Sequence, residues 1–350
     1  MTQALVIGAT GQIGRAAVRA LAEDGWEVTA ASRGATRDAA WPDSVRAARL
    51  DREDDAALTA LVGDGVDVVV DMVAYGRGHA RQLTGLADRI GSAVVVSSAA
   101  VYEDERGRSF LTQSEPDGFP HYPMPVPESC GRIAPGEEYG GRKVALEDEL
   151  RAAAEQLPTT VLRAGAVYGP HCRTPRELYF VKRALDGRRR RVLAYDGTSR
   201  FQPVSVHNIA ELIRLAAKAP GARVLNAGDS EAPTVAEIGA MVDTLLGVET
   251  ETVLVPGAPP SPEVGSTPWS LPHPMVLDMS AAQAELGYRP VTRYADALPE
   301  TVEWLRRRLA DAPGGDWRAA FPAMAAAYDP MGDLFDYAAE DAWLAQRSEE

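Results

Sequence analysis

The sequence ALVIGATGQIG, residues 4–14, is typical of a buried strand that runs into a glycine-rich turn and then a helix. Gly8 permits a tight reversal, Gly11 permits the backbone to approach an anion, and Gly14 permits the helix to pack closely on the sheet. The first N–H groups of such a helix and its positive dipole end face a pyrophosphate. The turn therefore predicts a dinucleotide site. Its predicted binding residues are Gly8, Thr10, Gly11, Gln12, Ile13, Gly14 and Arg15.

The sequence on both sides of this turn decides between a phosphate site and an ordinary glycine-rich surface loop. An apolar run precedes the turn at residues 5–7, and Ile13, Ala17 and Leu21 follow at helical spacing. Gly25 ends the helix before a second apolar run around Val28. This strand, turn and helix context favours the phosphate site.

Composition excludes several classes of protein. The chain has 350 residues, 45% of them hydrophobic, with a formal net charge of −14, which is typical of a globular protein without general affinity for nucleic acid or anionic membranes. Cys130 and Cys172 form no disulfide framework, and the five histidines have no metal-ligand spacing, so no metal site is expected. With no targeting or membrane-spanning segment recognisable, we expect a cytoplasmic location.

Short apolar runs alternate with helical segments, which predicts an α/β fold with a doubly wound parallel Rossmann sheet of about seven strands. The strands are predicted at residues 4–7, 27–31, 46–50, 67–73, 93–97, 159–163 and 223–226. Residues 1–166 and 203–228 are expected to form the dinucleotide-binding domain, residues 167–202 and 229–310 a smaller C-terminal substrate lobe, and residues 311–350 a docked helical extension. Thr234 and Glu237 have capping-box spacing within that lobe. The proline-rich stretch 103–138 is expected to be a loop.

Tyr139 and Lys143 lie four residues apart in YGGRKVALEDEL, so on a helix they project from the same face. A phenol has a pKa of about 10, and an adjacent ammonium favours its ionised form. Tyr139 is then a candidate for proton transfer to or from a carbonyl or hydroxyl oxygen. The alternative is that the pair merely lies on the surface.

Ser97 and Ser98 end a buried apolar run in VVVSSAAVY, residues 94–102. Ligands of open parallel sheets bind beyond the carboxyl ends of the strands, which is where these hydroxyls are expected. A hydroxyl there can hold a substrate oxygen as charge develops on it. A serine pair that simply ends a strand is the alternative.

Together these residues resemble the extended short-chain dehydrogenase/reductases, in their NAD-dependent epimerase/dehydratase-like branch. The resemblance extends from GATGQIG through SSAAVY and YGGRK to DMSAAQAELGYRP at residues 278–290. It implies that Tyr139 is the catalytic acid/base, that Lys143 tunes it and binds the nicotinamide ribose, and that Ser98 orients the substrate oxygen. It also implies that Asp51 lies near the adenine. By the same resemblance, Val73 and Ala74 line the cofactor.

The end of the second predicted strand favours NADP as the cofactor, with NAD possible. Enzymes that use NAD usually carry an acidic residue there, whereas EVTAASRG has Ser32 followed by Arg33. A guanidinium can bind a 2′-phosphate bidentately, and Arg15 would supply a second charge. The alternative is that Arg33 points into solvent.

Two departures from the family pattern weaken a sugar-nucleotide interpretation. Ala166 replaces the usual Asn before VYGP, and Phe201 stands where an arginine usually grips the diphosphate, with Arg200 one residue away. The arginine run at residues 188–191 is either a solvated turn or a grip on substrate phosphate.

The sequence thus predicts an NAD(P)-dependent enzyme with net hydride transfer at a carbonyl or hydroxyl carbon of a small polar substrate, with NADPH favoured as the cofactor. Two alternatives stay open: a sugar-nucleotide epimerase or dehydratase that restores its own cofactor, and a non-catalytic dinucleotide-binding sensor or RNA-binding protein. A small-molecule substrate is the expected partner, with no nucleic acid and no membrane. A homodimer is left open.

Overall fold

A computed structural model describes residues 2–34 and 36–347 of the chain. Its internal contacts divide these residues into two units. The first contains the described residues up to Val167, together with Val204–Ser230 and Leu277–Thr292. The second contains Tyr168–Pro203, Glu231–Val276 and the described residues from Arg293 onward.

Strands and helices are numbered separately in chain order. The strands are β1 (Gln3–Ile7), β2 (Glu27–Ser32), β3 (Arg46–Arg49), β4 (Val66–Asp71), β5 (Ile90–Ser98), β6 (Thr159–Ala164), β7 (Ala166–Tyr168), β8 (Arg190–Leu193), β9 (Pro203–Ser205), β10 (Arg223–Ala227) and β11 (Glu251–Leu254). The helices are α1 (Gln12–Glu23), α2 (Asp55–Val62), α3 (Arg77–Thr84), α4 (Tyr139–Ala152), α5 (Leu178–Leu185), α6 (Val206–Lys218), α7 (Val235–Leu246), α8 (Ser280–Leu286), α9 (Tyr294–Ala310), α10 (Trp317–Ala320), α11 (Pro322–Tyr328) and α12 (Tyr337–Arg347).

The first unit is built on a parallel sheet whose seven strands, within the described residues, follow the order β3-β2-β1-β4-β5-β6-β10. All seven predicted strands are present and the predicted fold class is confirmed. The strand order reverses between β1 and β4, where Ile7 pairs with Asp71. In such sheets the carboxyl ends of the strands at this reversal form the ligand crevice.

Helices cover both faces of this sheet because successive strand residues point to opposite sides. Ala4 and Val6 of β1 pack in one apolar cluster with residues of α1 and α6. Leu5 and Ile7 of the same strand pack in a second cluster with residues of α2, α3 and α4. The helix α4 that begins at Tyr139 is therefore held against one face of the sheet.

The segment Leu277–Thr292 belongs to the first unit, whereas the sequence assigned residues 229–310 to the lobe. The reason is long-range hydrogen bonding and apolar packing. The Asn208 amide donates to the Thr292 carbonyl oxygen at 2.9 Å and accepts from the Val291 N–H at 2.8 Å. Tyr288, 1% exposed, joins the apolar cluster that contains α6.

In the second unit, Thr234 and Glu237 form the predicted capping box at the start of α7. Helix α12 docks through Glu340, which is fully buried and forms ion pairs with Arg183 and Arg188. This contact accounts for the C-terminal extension, whose docking surface the sequence did not identify.

The arginine run at residues 188–191 is used inside the second unit. Arg188 also pairs with Asp341 at 2.7 Å, Arg190 pairs with Glu251, and Arg191 pairs with Asp243. Arg189 donates to backbone carbonyl groups. The structure therefore gives these arginines structural partners and does not support a grip on substrate phosphate.

Candidate active site

The glycine-rich turn has the geometry that an anion site needs. Gly8 has a φ of 84°, and the Gly8 and Ala9 N–H groups donate to the Ala31 carbonyl oxygen at 3.0 and 3.1 Å. A Cβ at Gly14 would lie 2.2 Å from the Gly8 carbonyl oxygen, so only glycine permits this close approach. Helix α1 begins at Gln12, and the Gly11 N-cap supplies no side-chain hydrogen bond. The first N–H groups of α1 therefore suit an anion.

Two buried polar atoms among the predicted binding residues support a dinucleotide here. Ser32 Oγ and Gln12 Nε2 have no hydrogen-bond partner among the described residues. Ser32 is 8% exposed and ends β2, where the sequence predicted the adenosine ribose. Since buried polar groups are normally hydrogen-bonded, these atoms suit a ligand with hydroxyl and phosphate groups. The residues of the turn thus fit the predicted cofactor.

The two predicted phosphate-binding arginines differ. Arg33 is exposed and forms no hydrogen bond or ion pair with any residue that the structure describes. Arg15 donates from Nε to the Thr10 carbonyl oxygen at 3.0 Å and forms an ion pair with Asp38. Burial lowers the pKa of Arg15. Arg33 is therefore available to bind a ligand phosphate, whereas Arg15 already has a carboxylate partner.

The remaining predicted cofactor residues differ in their contacts and in their burial. A Cβ at Gly8 would meet Val73 Cγ1 at 2.8 Å, which places Val73 directly against the turn. Ala74 is buried, and its carbonyl oxygen accepts a hydrogen bond from Lys143. Asp51 is exposed and follows β3, the strand that pairs with β2. Ile13 packs against the apolar cluster under α1.

Tyr139 and Ser98 meet where α4 begins and β5 ends. Tyr139 is the first residue of α4, Ser98 is the last of β5, and the Ser98 hydroxyl lies near enough to the Tyr139 phenol to affect its pKa. Gly140 allows this approach, since a Cβ there would lie 2.5 Å from the Ala100 carbonyl oxygen. Ser98 also accepts from the Ala100 N–H at 3.1 Å, which fixes its rotamer. The fold therefore places the two predicted hydroxyls near each other.

Lys143 lies one turn further along α4, as predicted. It is 3% exposed, and its Nζ donates to the carbonyl oxygens of Ala74 at 2.6 Å and Val96 at 2.9 Å. Its Nζ is 5.9 Å from the centroid of the Tyr139 ring. An ammonium has three N–H donors, so one remains for a ligand beside these two carbonyl groups.

The pKa shifts correct one expectation. Burial lowers the pKa of Lys143 to about 8, against the opposing fields of Asp71 and Glu147. Although half of the Tyr139 surface is exposed, desolvation raises its pKa, and the Ser98 hydroxyl only opposes the rise. The sequence instead predicted that Lys143 would lower it. The phenol is therefore protonated at neutral pH and suited to donate a proton.

The sequence analysis missed Tyr75. This tyrosine follows Ala74, and its ring is 48% exposed. Its centroid lies 5.1 Å from Lys143 Nζ and 6.3 Å from the centroid of the Tyr139 ring. The sequence did contain a signal for Tyr75, because this residue directly follows Ala74, which the resemblance placed along the cofactor.

A buried polar network behind the catalytic residues was also missed. Ser97 donates to Glu147, and Glu147 pairs with Arg163, all three at most 2% exposed. Glu147 lies four residues after Lys143 and eight after Tyr139, a helical spacing that the sequence displays. The Glu147 charge on an otherwise buried face of the helix was therefore the sequence signal for this network.

The chain is similar to proteins of one known family. A family model described as "NAD dependent epimerase/dehydratase family" matches residues 4–228. The chain belongs to this family. The resemblance found in the sequence is thereby confirmed, and this epimerase/dehydratase family member is an NAD(P)-dependent enzyme of the short-chain dehydrogenase/reductase type, as predicted.

One curated relative and two solved structures illustrate the range of the family. The 2'-dehydrokanamycin reductase of Streptomyces kanamyceticus is 34% identical over 167 residues, which are 47% of this chain and 42% of the reductase. The match thus spans less than half of that relative.

The dTDP-glucose 4,6-dehydratase of Bacillus anthracis, solved with NAD, is similar with a TM-score of 0.67 and 18% identity, covering 90% of this chain and 100% of that one. The UDP-glucuronic acid 4-epimerase of Bacillus cereus, solved with UDP-glucuronic acid and NAD, has a TM-score of 0.66 and 18% identity, with 87% and 99% covered. At this identity the two structures show the fold.

The described residues contain neither a membrane-spanning helix nor a metal-binding cluster. None of its helices has both the length and the apolar character that crossing a bilayer requires. No group of three or more His, Cys, Asp or Glu residues in the described ranges is arranged to hold a metal ion.

Proposed function

We propose that this family member is a net reductase that uses NADPH and delivers hydride to the carbonyl carbon of a small polar substrate. The observation that carries the proposal is Arg33, exposed and without a partner among the described residues at the end of β2. An enzyme that binds NAD usually has a carboxylate there, which would repel a 2′-phosphate. Because the cellular NADPH pool generally serves reductions, an NADP site favours the reductive direction.

The catalytic residues support the same direction. The Tyr139 phenol, protonated at neutral pH, would donate its proton to the substrate carbonyl oxygen as that oxygen gains charge. Ser98 would hold the same oxygen through its hydroxyl. Lys143 would bind the ribose through its remaining N–H donor and place positive charge behind the phenol. When bound, the nicotinamide cofactor supplies the hydride.

The remaining predicted residues would hold the cofactor. Gly8, Gly11 and Gly14, with the first N–H groups of α1, suit the pyrophosphate. The complete proposed set is Gly8, Thr10, Gly11, Gln12, Ile13, Gly14, Arg15, Ser32, Arg33, Asp51, Val73, Ala74, Tyr139 and Lys143.

The named relatives support two candidate functions. A relative called 2'-dehydrokanamycin reductase favours net reduction of a polar carbonyl compound. Solved relatives that hold UDP-glucuronic acid favour a sugar-nucleotide epimerase or dehydratase. Against the second, Arg200 donates to the Ala232 carbonyl oxygen and lies 3.9 Å from Glu237, so it is engaged within its own unit. The non-catalytic alternative is set aside because the chain belongs to an enzyme family.

The test is a hydride balance with both cofactors and both substrate classes. Purified protein is incubated with NADPH or NADH and with 2'-dehydrokanamycin, simpler polar ketones, or UDP-sugars. We expect one NADPH to be oxidised for each alcohol formed, with NADH much less effective. Sugar inversion or water loss without consumption of cofactor would contradict the proposal and establish the epimerase or dehydratase.

Three further predictions accompany this proposal. Residues 167–202 and 229–310 are proposed to recognise the substrate, a homodimer is kept as the alternative to a monomer, and the location is proposed to be cytoplasmic. Sedimentation of the purified protein and fractionation of producing cells test the last two.

A further inference from the structure

Glu147 is a buried carboxylate on the helix that carries the proposed catalytic residues. It lies two turns after Tyr139 and one turn after Lys143 on α4, and it is 1% exposed. Its Oε1 accepts a hydrogen bond from the Ser97 hydroxyl at 2.7 Å. Ser97 immediately precedes Ser98 on β5. This hydrogen bond joins the helix of Tyr139 to the strand of Ser98 one residue before Ser98, in addition to the bond from Lys143 to the Val96 carbonyl oxygen of the same strand.

The same carboxylate joins α4 to a second strand. Arg163 of β6, 1% exposed, donates to Glu147 from Nε at 3.1 Å and from Nη2 at 2.6 Å. Arg132 donates to Glu147 from Nη1 at 3.1 Å, and Arg163 Nη1 donates to the Glu128 carbonyl oxygen at 2.9 Å. Charge-assisted, bidentate bonds of this kind fix orientation as well as distance.

We propose that Glu147 is a positioning residue, which sets the register of α4 on β5 and β6 and so places Tyr139 and Lys143 against Ser98. This inference rests on the proposed catalytic function of those three residues. Apolar contacts between a helix and a sheet are non-directional, whereas the Ser97 and Arg163 bonds hold only one register. Since displacements of about 1 Å can cost about 100-fold in rate, the register matters for proton transfer.

Glu147 also acts on Lys143 electrostatically. Burial lowers the pKa of Lys143, while Asp71 and Glu147 oppose the fall, with a result of about 8. Loss of the Glu147 charge would therefore lower that pKa further. Two carboxylates, Asp71 and Glu147, act on Lys143. Asp71 pairs with Arg52, and Glu147 pairs with Arg132 and Arg163. The rings of Tyr75 and Tyr139 also lie near the ammonium.

The main variant is Glu147→Gln, which keeps the shape and one acceptor but removes the charge. The matched control is Asp148→Asn, because Asp148 is the next residue, pairs with the same Arg132 at 2.8 Å, and is 38% exposed. We expect kcat/KM for the NADPH-dependent reaction to fall at least tenfold in the first variant and to stay within about twofold in the control. We expect kcat/KM of the wild type to fall above about pH 8, where Lys143 loses its proton. In Glu147→Gln this fall should begin about one pH unit lower, because a nearby opposite charge shifts a pKa by about that much.

A second readout needs no activity. Between about pH 8, the pKa of Lys143 in the folded chain, and 10.5, its ordinary value, the unfolded chain binds more protons, so stability rises with pH. In Glu147→Gln this rise should begin at lower pH, whereas Asp148→Asn should keep the wild-type curve. Lys143→Met should lack this rise in stability, which shows that the rise comes from the titration of Lys143 and not from another group. If the enzyme does not catalyse the proposed reaction but the rise in stability still begins at lower pH in Glu147→Gln, the electrostatic effect of Glu147 on Lys143 is established independently of the proposed function.

Ser97→Ala is the milder variant, should Glu147→Gln fail to fold because Arg163 loses its partner. It removes only the hydrogen bond between Ser97 and Glu147 and leaves the bond from Lys143 to the Val96 carbonyl oxygen of β5. We expect a fall in kcat with KM for NADPH nearly unchanged. Wild-type kcat in Ser97→Ala, or an unshifted pH profile and stability curve in a folded Glu147→Gln, would overturn the proposal.

Discussion

The proposed catalytic residues and the proposed 2′-phosphate-binding residues belong to one unit but differ in what the folded chain does for them. Lys143 is 3% exposed, and two backbone carbonyl oxygens hold its ammonium. Arg33 is exposed and has no partner in the described ranges. The fold therefore fixes one cation before any ligand binds, whereas the other has to be ordered by its ligand.

This difference separates catalysis from cofactor choice. A preorganised group spends no free energy on reorganisation when charge develops, so the catalytic residues should tolerate little change. An exposed arginine loses side-chain entropy on binding and is screened by salt, so its contribution should be smaller. Variants of both groups of residues test this ranking.

Tyr139→Phe should reduce kcat by about 100-fold or more while leaving cofactor affinity nearly unchanged, because it removes only the transferable proton. Steady-state rates and NADPH titration by fluorescence measure the two quantities. Tyr75→Phe is the matched control, since its ring lies 6.3 Å from that of Tyr139 but has no proposed proton role. Activity of Tyr139→Phe within about tenfold of wild type would identify another acid.

Arg33→Ala should weaken NADPH binding by about tenfold at low ionic strength and leave NADH binding unchanged, because it removes a charge-assisted contact with a 2′-phosphate. Calorimetry with both cofactors measures this. Arg37→Ala is the control, since Arg37 already donates to the Trp41 carbonyl oxygen and pairs with Asp43. An equal loss for both cofactors, or none, would mean that Arg33 only faces solvent.

The pH dependence should follow Lys143. Because burial lowers its pKa to about 8, kcat/KM should fall above that pH, as the free enzyme loses the ammonium that the ribose and the phenol need. The expected limit is about tenfold per pH unit, as for loss of a single proton. In Lys143→Arg, whose charge persists, residual activity should lack this limb. A wild-type profile that is flat to about pH 10 would contradict this role for the lysine.

How much the sequence predicted depends on how local the cause is. The turn from Gly8 to Gly14 and the seven strands were predicted because glycine requirements and apolar periods act over a few residues. The position of Tyr139, Lys143 and Ser98 also followed, since one helix start and one strand end place all three. The parallel sheet and the similar solved structures confirmed the fold class built on these features.

What the sequence did not predict depends on contacts between distant residues. Lys143 bonds to carbonyl groups 69 and 47 residues away, which hold its ammonium in place, and the pKa of Tyr139 rises where it was expected to fall. Ser97 meets Glu147 across 50 residues. Such partners are set by strand order and helix register, which no local pattern encodes.

A smaller change in affinity concerns Arg15, the second arginine proposed to bind the 2′-phosphate. Arg15 pairs with Asp38, and their side chains are 26% and 15% exposed. A partly exposed ion pair contributes about 0.2–1 kcal/mol. Asp38 should therefore hold Arg15 only weakly. Its negative charge should also repel a 2′-phosphate only weakly. Asp38→Asn keeps the oxygen that accepts from the Ala40 N–H but removes the charge.

Asp38→Asn should therefore strengthen NADPH binding about two- to fivefold and leave NADH binding unchanged, with the gain reduced at high salt. Asp43→Asn is the control, because Asp43 is fully exposed and pairs with Arg37. Calorimetry at two ionic strengths measures both variants. A gain confined to NADPH would show that the chain limits its own 2′-phosphate site. Weaker binding of both cofactors would instead make Asp38 a support of the glycine turn through Arg15 and the Thr10 carbonyl oxygen.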